Sequence, residues 1–327
     1  MRLRRLTFFV SLLLLPVFWG WALAEVTEEE KETLYGHMEN LVYEIGNRYM
    51  GTEGQKKALE YLTEQFQKLG CSFENDTLEL FKVEGENFDG EPFCSYNVIG
   101  VHKAKVEEPK IVMICAHYDS QGPGARDNAA GVAAILMLLQ RMAKAQPYDE
   151  VEIRFVAFTA EETGHQGSLL YAQSLSQEER RRVKAVLNLD VIVVDEWDED
   201  AVLCCDTLGM RTKNGYEEGT SDRPANNLAS RAFLEAINEL EVFLPEENGE
   251  SFCAPRHKGM SDHESFHLVQ IDAANISFRG KPGTDGGWSG FNHSEFDLIG
   301  DFDWDRTWQL LDVVSAAMEL LAGEEAK

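Results

Sequence analysis

Residues 111–116 read Ile-Val-Met-Ile-Cys-Ala, an apolar run with no polar alternation, and His117 and Asp119 follow it at once. A strand of that kind has no face to give to water, so it belongs inside a sheet covered on both sides. Two ionisable groups at its carboxyl end then stand where such a sheet keeps its crevice.

The neighbouring segments supply the covering layers. The spacing predicts helices over 28–47, 53–69, 127–145, 167–175, 226–241 and 303–321. Strands are expected over 77–83, 96–101, 111–116, 151–159, 183–190, 201–205 and 271–278, the strand 201–205 being placed to pair with 183–190. Strands alternating with helices imply crossover units: an α/β chain forming a single globular domain with a central mixed, largely parallel sheet flanked by helices. Stretches 206–224, 245–260 and 279–292 read as surface loops, of a length that often serves a binding site.

Composition narrows the function. The 327 residues are 44% hydrophobic, enough for a large core, and carry 57 Asp plus Glu against 30 Lys plus Arg, a formal charge of −27. Grip on phosphate backbones needs clustered cations, so nucleic acid is excluded as a partner.

Residues 1–24 are read apart from the fold. Arg2, Arg4 and Arg5 precede an apolar run that closes on Ala22-Leu23-Ala24, the pattern of a secretory signal peptide cleaved before Glu25. The competing reading is an uncleaved anchor, since positions 6–24 nearly suffice to cross a bilayer. The expectation is a secreted or periplasmic catalytic domain over 25–327, with no stable membrane association after cleavage. Six cysteines are too sparse for a disulfide scaffold, none forms a CxxC pair, and Cys115 reads as a buried thiol.

Metal chemistry must therefore use His and carboxylates. His117, Asp119, Asp127, Glu161, Glu162 and Asp190 all fall at or just beyond the carboxyl ends of expected strands and so converge. Such a cluster repels itself unless a cation sits within it, and mixed imidazole and carboxylate ligation suits zinc, cobalt or manganese better than calcium or magnesium, zinc being the preferred reading. The adjacent Glu161 and Glu162 allow one to bind metal while the other accepts a proton from an activated water. Taken singly, each acid is as well explained as a helix cap or a solvated charge.

Six motifs occur together in order: Ala116-His117-Tyr118-Asp119-Ser120, Gly124-Ala125-Arg126-Asp127-Asn128-Ala129-Ala130-Gly131, Phe158-Thr159-Ala160-Glu161-Glu162, Leu187-Asn188-Leu189-Asp190, Ser261-Asp262-His263 and Asn292-His293-Ser294. In this the chain resembles the M28 family of zinc aminopeptidases over about residues 30–321. The resemblance implies two zinc ions bridged by Asp127, with His117 and Asp190 completing one site and Glu162 and His293 the other. It implies Glu161 as general base, Asp119 as the acid that orients His117, and Asp262 as a buried acid of structural or orienting role. It further implies a cis peptide at Asp127-Asn128, and peptide or protein substrates with a free N-terminus. The expected function is thus a dizinc metallo-aminopeptidase that hydrolyses N-terminal peptide bonds.

The glutaminyl cyclases are similar, keeping the His-x-Asp and Glu-Glu patterns with one zinc, but the Asn after Asp127 resembles the peptidases more. A non-catalytic domain like that of transferrin receptors would not keep every ligand. Residues 267–271 depart from the Gly-Ile-Pro-Ala typical of the family. Of the remaining histidines, His37 and His102 are expected at the surface, His263 packed near Asp262, and His165, close after the glutamate pair, is read as an ordinary histidine before one that lines the cleft. Trp288 and Phe291 are candidates for an apolar wall around the substrate's first side chain, or equally for aromatic anchors of their own loop.

Overall fold

The computed structural model describes residues 26–70, 77–144, 148–198, 201–243, 254–280 and 291–323. The leader expected over 1–24, Cys71, Cys253 and Trp288 lie outside the described residues. The helices are α1 (Glu28–Glu39), α2 (Glu53–Gly70), α3 (Ala130–Ala143), α4 (Gln166–Ser174), α5 (Gln177–Arg182), α6 (Leu228–Leu240), α7 (His263–Leu268) and α8 (Trp304–Ala322). The strands are β1 (Thr77–Glu86), β2 (Pro92–His102), β3 (Lys110–His117), β4 (Val151–Phe158) and β5 (Val183–Leu189). They continue as β6 (Ala201–Thr207), β7 (Gly209–Thr212), β8 (Gly215–Glu218), β9 (Pro255–His257) and β10 (Ala273–Gly280).

Eight strands form one mixed sheet in the order β1-β2-β4-β3-β5-β10-β6-β9. Its centre, β4-β3-β5-β10, is parallel, and antiparallel pairings flank it at β1-β2, β2-β4 and β10-β6. The central strand β3 feeds two cores, as its unbroken apolarity requires. Val112, Ile114 and Ala116 pack on the side of α1, α2, α3, α6 and α8, while Ile111, Met113 and Cys115 face Tyr171 of α4 and Phe266 of α7.

Each helix covers its face through a stripe of matching period. On α2, Ala58, Leu62 and Phe66 are buried one turn apart; on α8, Leu310, Val314, Ala317 and Leu321 repeat the spacing. Helix α3 is buried almost throughout, and Gly131 lets it approach β5: a Cβ there would lie 2.6 Å from Leu189 O and 2.4 Å from Asn128 Oδ1.

Four expectations need correction, one being the stretch 245–260, read as a loop, where Pro255–His257 forms β9 parallel to β6, too short to register in the sequence. Strand β6 pairs antiparallel with β10, Ser277 opposite Cys204, because β10 inserts between it and β5. The stretch 206–224, read as a loop, contains the β7-β8 hairpin, whose alternation is too short to register in the sequence. His37 and His102 are buried, not at the surface: His37 Nδ1 lies 2.6 Å from Tyr61 Oη, and His102 is in β2. Cys115 is a buried free thiol as expected, its Sγ 3.3 Å from Asn188 Oδ1. Among the described residues, no helix is long and apolar enough to cross a membrane.

Candidate metal centre

The parallel strands β3, β4 and β5 end side by side, so the residues just beyond them meet. His117 closes β3; Glu161 and Glu162 lie in the turn after β4; Asp190 follows β5. Asp127 is delivered by the turn Ala125–Ala129 ahead of α3, where its φ of −121° and ψ of 84° leave the helical region and the bond to Asn128 is cis. Asn128 ties that turn to the sheet by donating to Leu189 O at 2.8 Å and accepting from Gly131 N at 3.1 Å.

The two oxygens of Asp127 face different histidines. Oδ1 is 3.1 Å from His117 Nε2, and Oδ2 is 3.2 Å from His293 Nε2. Asp190 Oδ1 approaches the same His117 nitrogen at 3.4 Å, and Glu162 Oε2 approaches the same His293 nitrogen at 3.1 Å. Two groups result, His117-Asp127-Asp190 and Asp127-Glu162-His293, each with donor atoms within 4.8 Å of one another. The chemistry of the set, imidazole nitrogen plus carboxylate oxygens shared through one Asp, fits a pair of borderline divalent cations. His293 is 40% exposed against 4% or less for the other four side chains, so the way in lies on its side.

Charge explains how these side chains behave among themselves. Burial disfavours the charged form of His117, but Glu161, Asp127 and Asp190 outweigh it and hold the imidazole's pKa well up. His293, hydrogen-bonded to Asp127 and Glu162, is pushed up to about 10. For Asp127 burial is again the largest influence, yet its bonds to both histidines hold it well below the usual carboxylate range. Glu161 is pushed up to about 8 by burial, with Asp190 and Asp262 adding to it. A cation among these groups would replace the protons on the two imidazoles.

Asp119 uses two of its groups. Its backbone oxygen lies 3.1 Å from His117 Nδ1, turning Nε2 toward Asp127, while its carboxylate stands 3.8 Å from that ring nitrogen. The carboxylate accepts instead from Glu161 N at 3.1 Å and Glu162 N at 3.0 Å, pinning the turn after β4 to the turn after β3. Burial pushes the Asp119 carboxyl up to about 7, against those two bonds and His117. Asp262 is fully buried just ahead of α7, and neither of its oxygens has a hydrogen-bond partner among the described residues. Phe291 is exposed, with its ring 5.3 Å from the Arg126 guanidinium carbon, which places it on the Asp127 turn.

Sequence reasoning missed three residues. Asp297 is buried and accepts from Arg126 N at 3.0 Å and Asp127 N at 3.1 Å, fixing the Asp127 backbone. Arg126 pairs with both Asp297 and Asp195. Arg48, fully buried, donates to Tyr118 O at 2.7 Å, Pro123 O at 2.6 Å and Gly124 O at 3.1 Å. A further sign of function is backbone conformation: Ala160, His165, Val191 and His293, all bordering the centre, take positive φ without being glycine. Such residues gather where the surrounding structure imposes a geometry.

The model of peptidase family M28 matches residues 97–318, and the chain belongs to that family. It is similar to aminopeptidase YwaD of Bacillus subtilis, 33% identical over 236 residues, covering 71% of this chain and 46% of that protein. The chain thus spans less than half the length of this relative. The solved structure of BSAP, a zinc aminopeptidase from Bacillus subtilis, superposes with a TM-score of 0.73 at 21% identity, covering 93% of this chain and 98% of that one. A glutaminyl cyclase from Bacteroides thetaiotaomicron superposes with a TM-score of 0.68 at 18% identity, covering 92% and 99%. At these identities the likeness shows the fold, which both activities share.

Proposed function

We propose that the chain is a dizinc metallo-aminopeptidase acting on peptides or proteins with a free N-terminus. The observation that carries this reading is the divided carboxylate of Asp127, one oxygen toward His117 and the other toward His293. His117, Asp127 and Asp190 would hold one ion, and Asp127, Glu162 and His293 the other. When bound, zinc would supply the acidification of water and the polarisation of the scissile carbonyl.

The rest of the chemistry falls to the chain's own groups. Glu161 stands next in sequence to Glu162, is 11% exposed, and has a carboxyl whose proton affinity burial raises. It is suited to take a proton from the attacking water and return it to the departing amine. Asp119 keeps Glu161 and Glu162 in register with His117 through the two backbone bonds described above. The excess of carboxylates around the cleft favours a substrate that arrives with a charged amine. Export through a leader over residues 1–24, with 25–327 as the catalytic unit, belongs to the same reading.

The test is zinc per chain, measured with hydrolysis of an aminoacyl-nitroanilide panel and cyclisation of an N-terminal Gln peptide. We expect two zinc ions and hydrolysis, with Glu161→Ala keeping the metal and losing turnover by about 100-fold or more. One zinc with cyclisation and no hydrolysis would move the chain to the cyclase class. Absence of bound zinc would sink both readings.

A further inference from the structure

His165 ends the turn after β4 in the left-handed region, with φ 57° and ψ 29°. The turn is closed by Gly164 N and His165 N, each donating to Glu161 O at 2.9 Å, so the ring stands over the residue it follows by four. Its Nε2 lies 3.3 Å from Glu161 Oε1, and its Nδ1 lies 3.7 Å from Glu264 Oε2 on α7. The other oxygen of Glu264 accepts from Met260 N, which fixes that carboxylate in turn.

The imidazole therefore bridges two acids from different elements. Nε2 can donate to Glu161, while Nδ1 at 3.7 Å is in charge contact with Glu264 but beyond hydrogen-bond reach. Burial alone would lower the ring's pKa, but the bond to Glu161 and the charges of Glu161, Asp262 and Glu264 outweigh it and push it up to about 9. The fold itself does not need this ring: the entry to α4 is held by Gln166 N on Ala160 O and Leu169 N on His165 O, which are backbone bonds. A side chain nevertheless stands at a left-handed position that favours glycine.

We propose that His165 is a positioning residue for Glu161, occupying one carboxylate oxygen so that the other is left to accept the proton, with Glu264 holding His165 in place. This rests on Glu161 being the general base. It assigns a role in turnover to a side chain that touches neither metal site nor substrate, and it makes Glu264 the outer end of a three-residue chain, Glu161-His165-Glu264. Exposure rises along that chain from 11% through 22% to 36%, so each member is better anchored than the next.

The experiment compares His165→Leu, His165→Gln, Glu264→Gln and the double variant His165→Leu/Glu264→Gln in the zinc-loaded enzyme, with Glu161→Ala alongside. The readouts are kcat and KM on an aminoacyl-nitroanilide, zinc per chain and Tm. His165→Leu should lower kcat about 10- to 100-fold, the scale of a misplaced reacting group, with KM and zinc content unchanged. His165→Gln, whose amide can still donate to Glu161, should recover to within about threefold of the native kcat. The double variant should be no slower than His165→Leu, because Glu264 acts only through the ring. A kcat for His165→Leu within twofold of native would overturn the proposal. So would equal losses in His165→Leu and His165→Gln accompanied by lost zinc or a lowered Tm, which would make the ring a structural support. Full turnover in Glu161→Ala would instead remove the base reading on which the proposal stands.

Discussion

Arg48 is a cation with no exposed surface, and everything it donates to is a backbone carbonyl. Besides Tyr118, Pro123 and Gly124 it reaches Leu41 O at 2.9 Å and Gly46 O at 3.1 Å. Burial lowers its pKa to about 10, while the charges of Asp119, Asp297, Asp127 and Glu162 oppose that fall. It is thus both the brace of the segment running from Tyr118 to Gly124 and the buried countercharge behind the carboxylates. Arg48→Met strips five carbonyls of their donor at once and should cost about 3–5 kcal/mol in urea unfolding, with weakened zinc retention. A loss under about 1 kcal/mol would refute this account. Neither Arg48 nor Asp297 could be read from the sequence, for one physical reason. Their partners are peptide groups 70 to 76 positions away for Tyr118 and Gly124, and 170 to 171 positions away for Asp127 and Arg126, and a peptide group carries no residue-type signal. The convergence of His117, Asp127, Glu161, Glu162 and Asp190 is legible because side-chain chemistry at strand ends is a pattern the sequence does carry.

Among the elements, those buried on both faces were the easiest to foresee, β3 above all, since its apolar run leaves one environment for it. The pairing of β6 was not, because a strand's neighbours depend on where a later strand inserts, and β10 comes 66 positions after the end of β6. His37 is a different case, within a helix. It sits three residues after Leu34 and four before Leu41, on the buried stripe of α1, so the helical period does contain the signal that it faces inward. Its partner is Tyr61 on α2, with ring centroids 6.0 Å apart. Burial lowers its pKa to about 4, so the folded state keeps it neutral where the unfolded chain, with a pKa near 6.5, takes up a proton. The stability this contributes is complete above pH ~6.5 and is lost as pH falls toward the folded value. Between pH 7.5 and 4.5 the native chain should lose about 2 kcal/mol more than His37→Leu, measured by urea unfolding at both pH values. Equal losses in the two proteins would mean that His37 is not the group responsible.

At the scale of the whole molecule the governing fact is a formal charge of −27, concentrated further where Asp119, Asp127, Glu161, Glu162, Asp190 and Asp262 meet. Divalent ions that bind the folded chain and not the unfolded one must raise stability, by about 2.7 kcal/mol at a free concentration 100 times Kd. For a domain of about 300 residues that is about 4 °C in Tm, and a chelator should take it away. Asp127 belongs to both donor groups, so Asp127→Ala should abolish the zinc-dependent rise altogether. Asp190→Ala and Glu162→Ala each disable one group, and each should leave one ion per chain with part of the rise. The two groups also differ in access, His293 being 40% exposed and His117 1%, so chelation should empty the Asp127-Glu162-His293 group first and the other more slowly. In Glu162→Ala only the slow phase should remain, and in Asp190→Ala only the fast one. Zinc released in a single step from the native chain, or retained by Asp127→Ala, would break the assignment of two ions to one shared carboxylate.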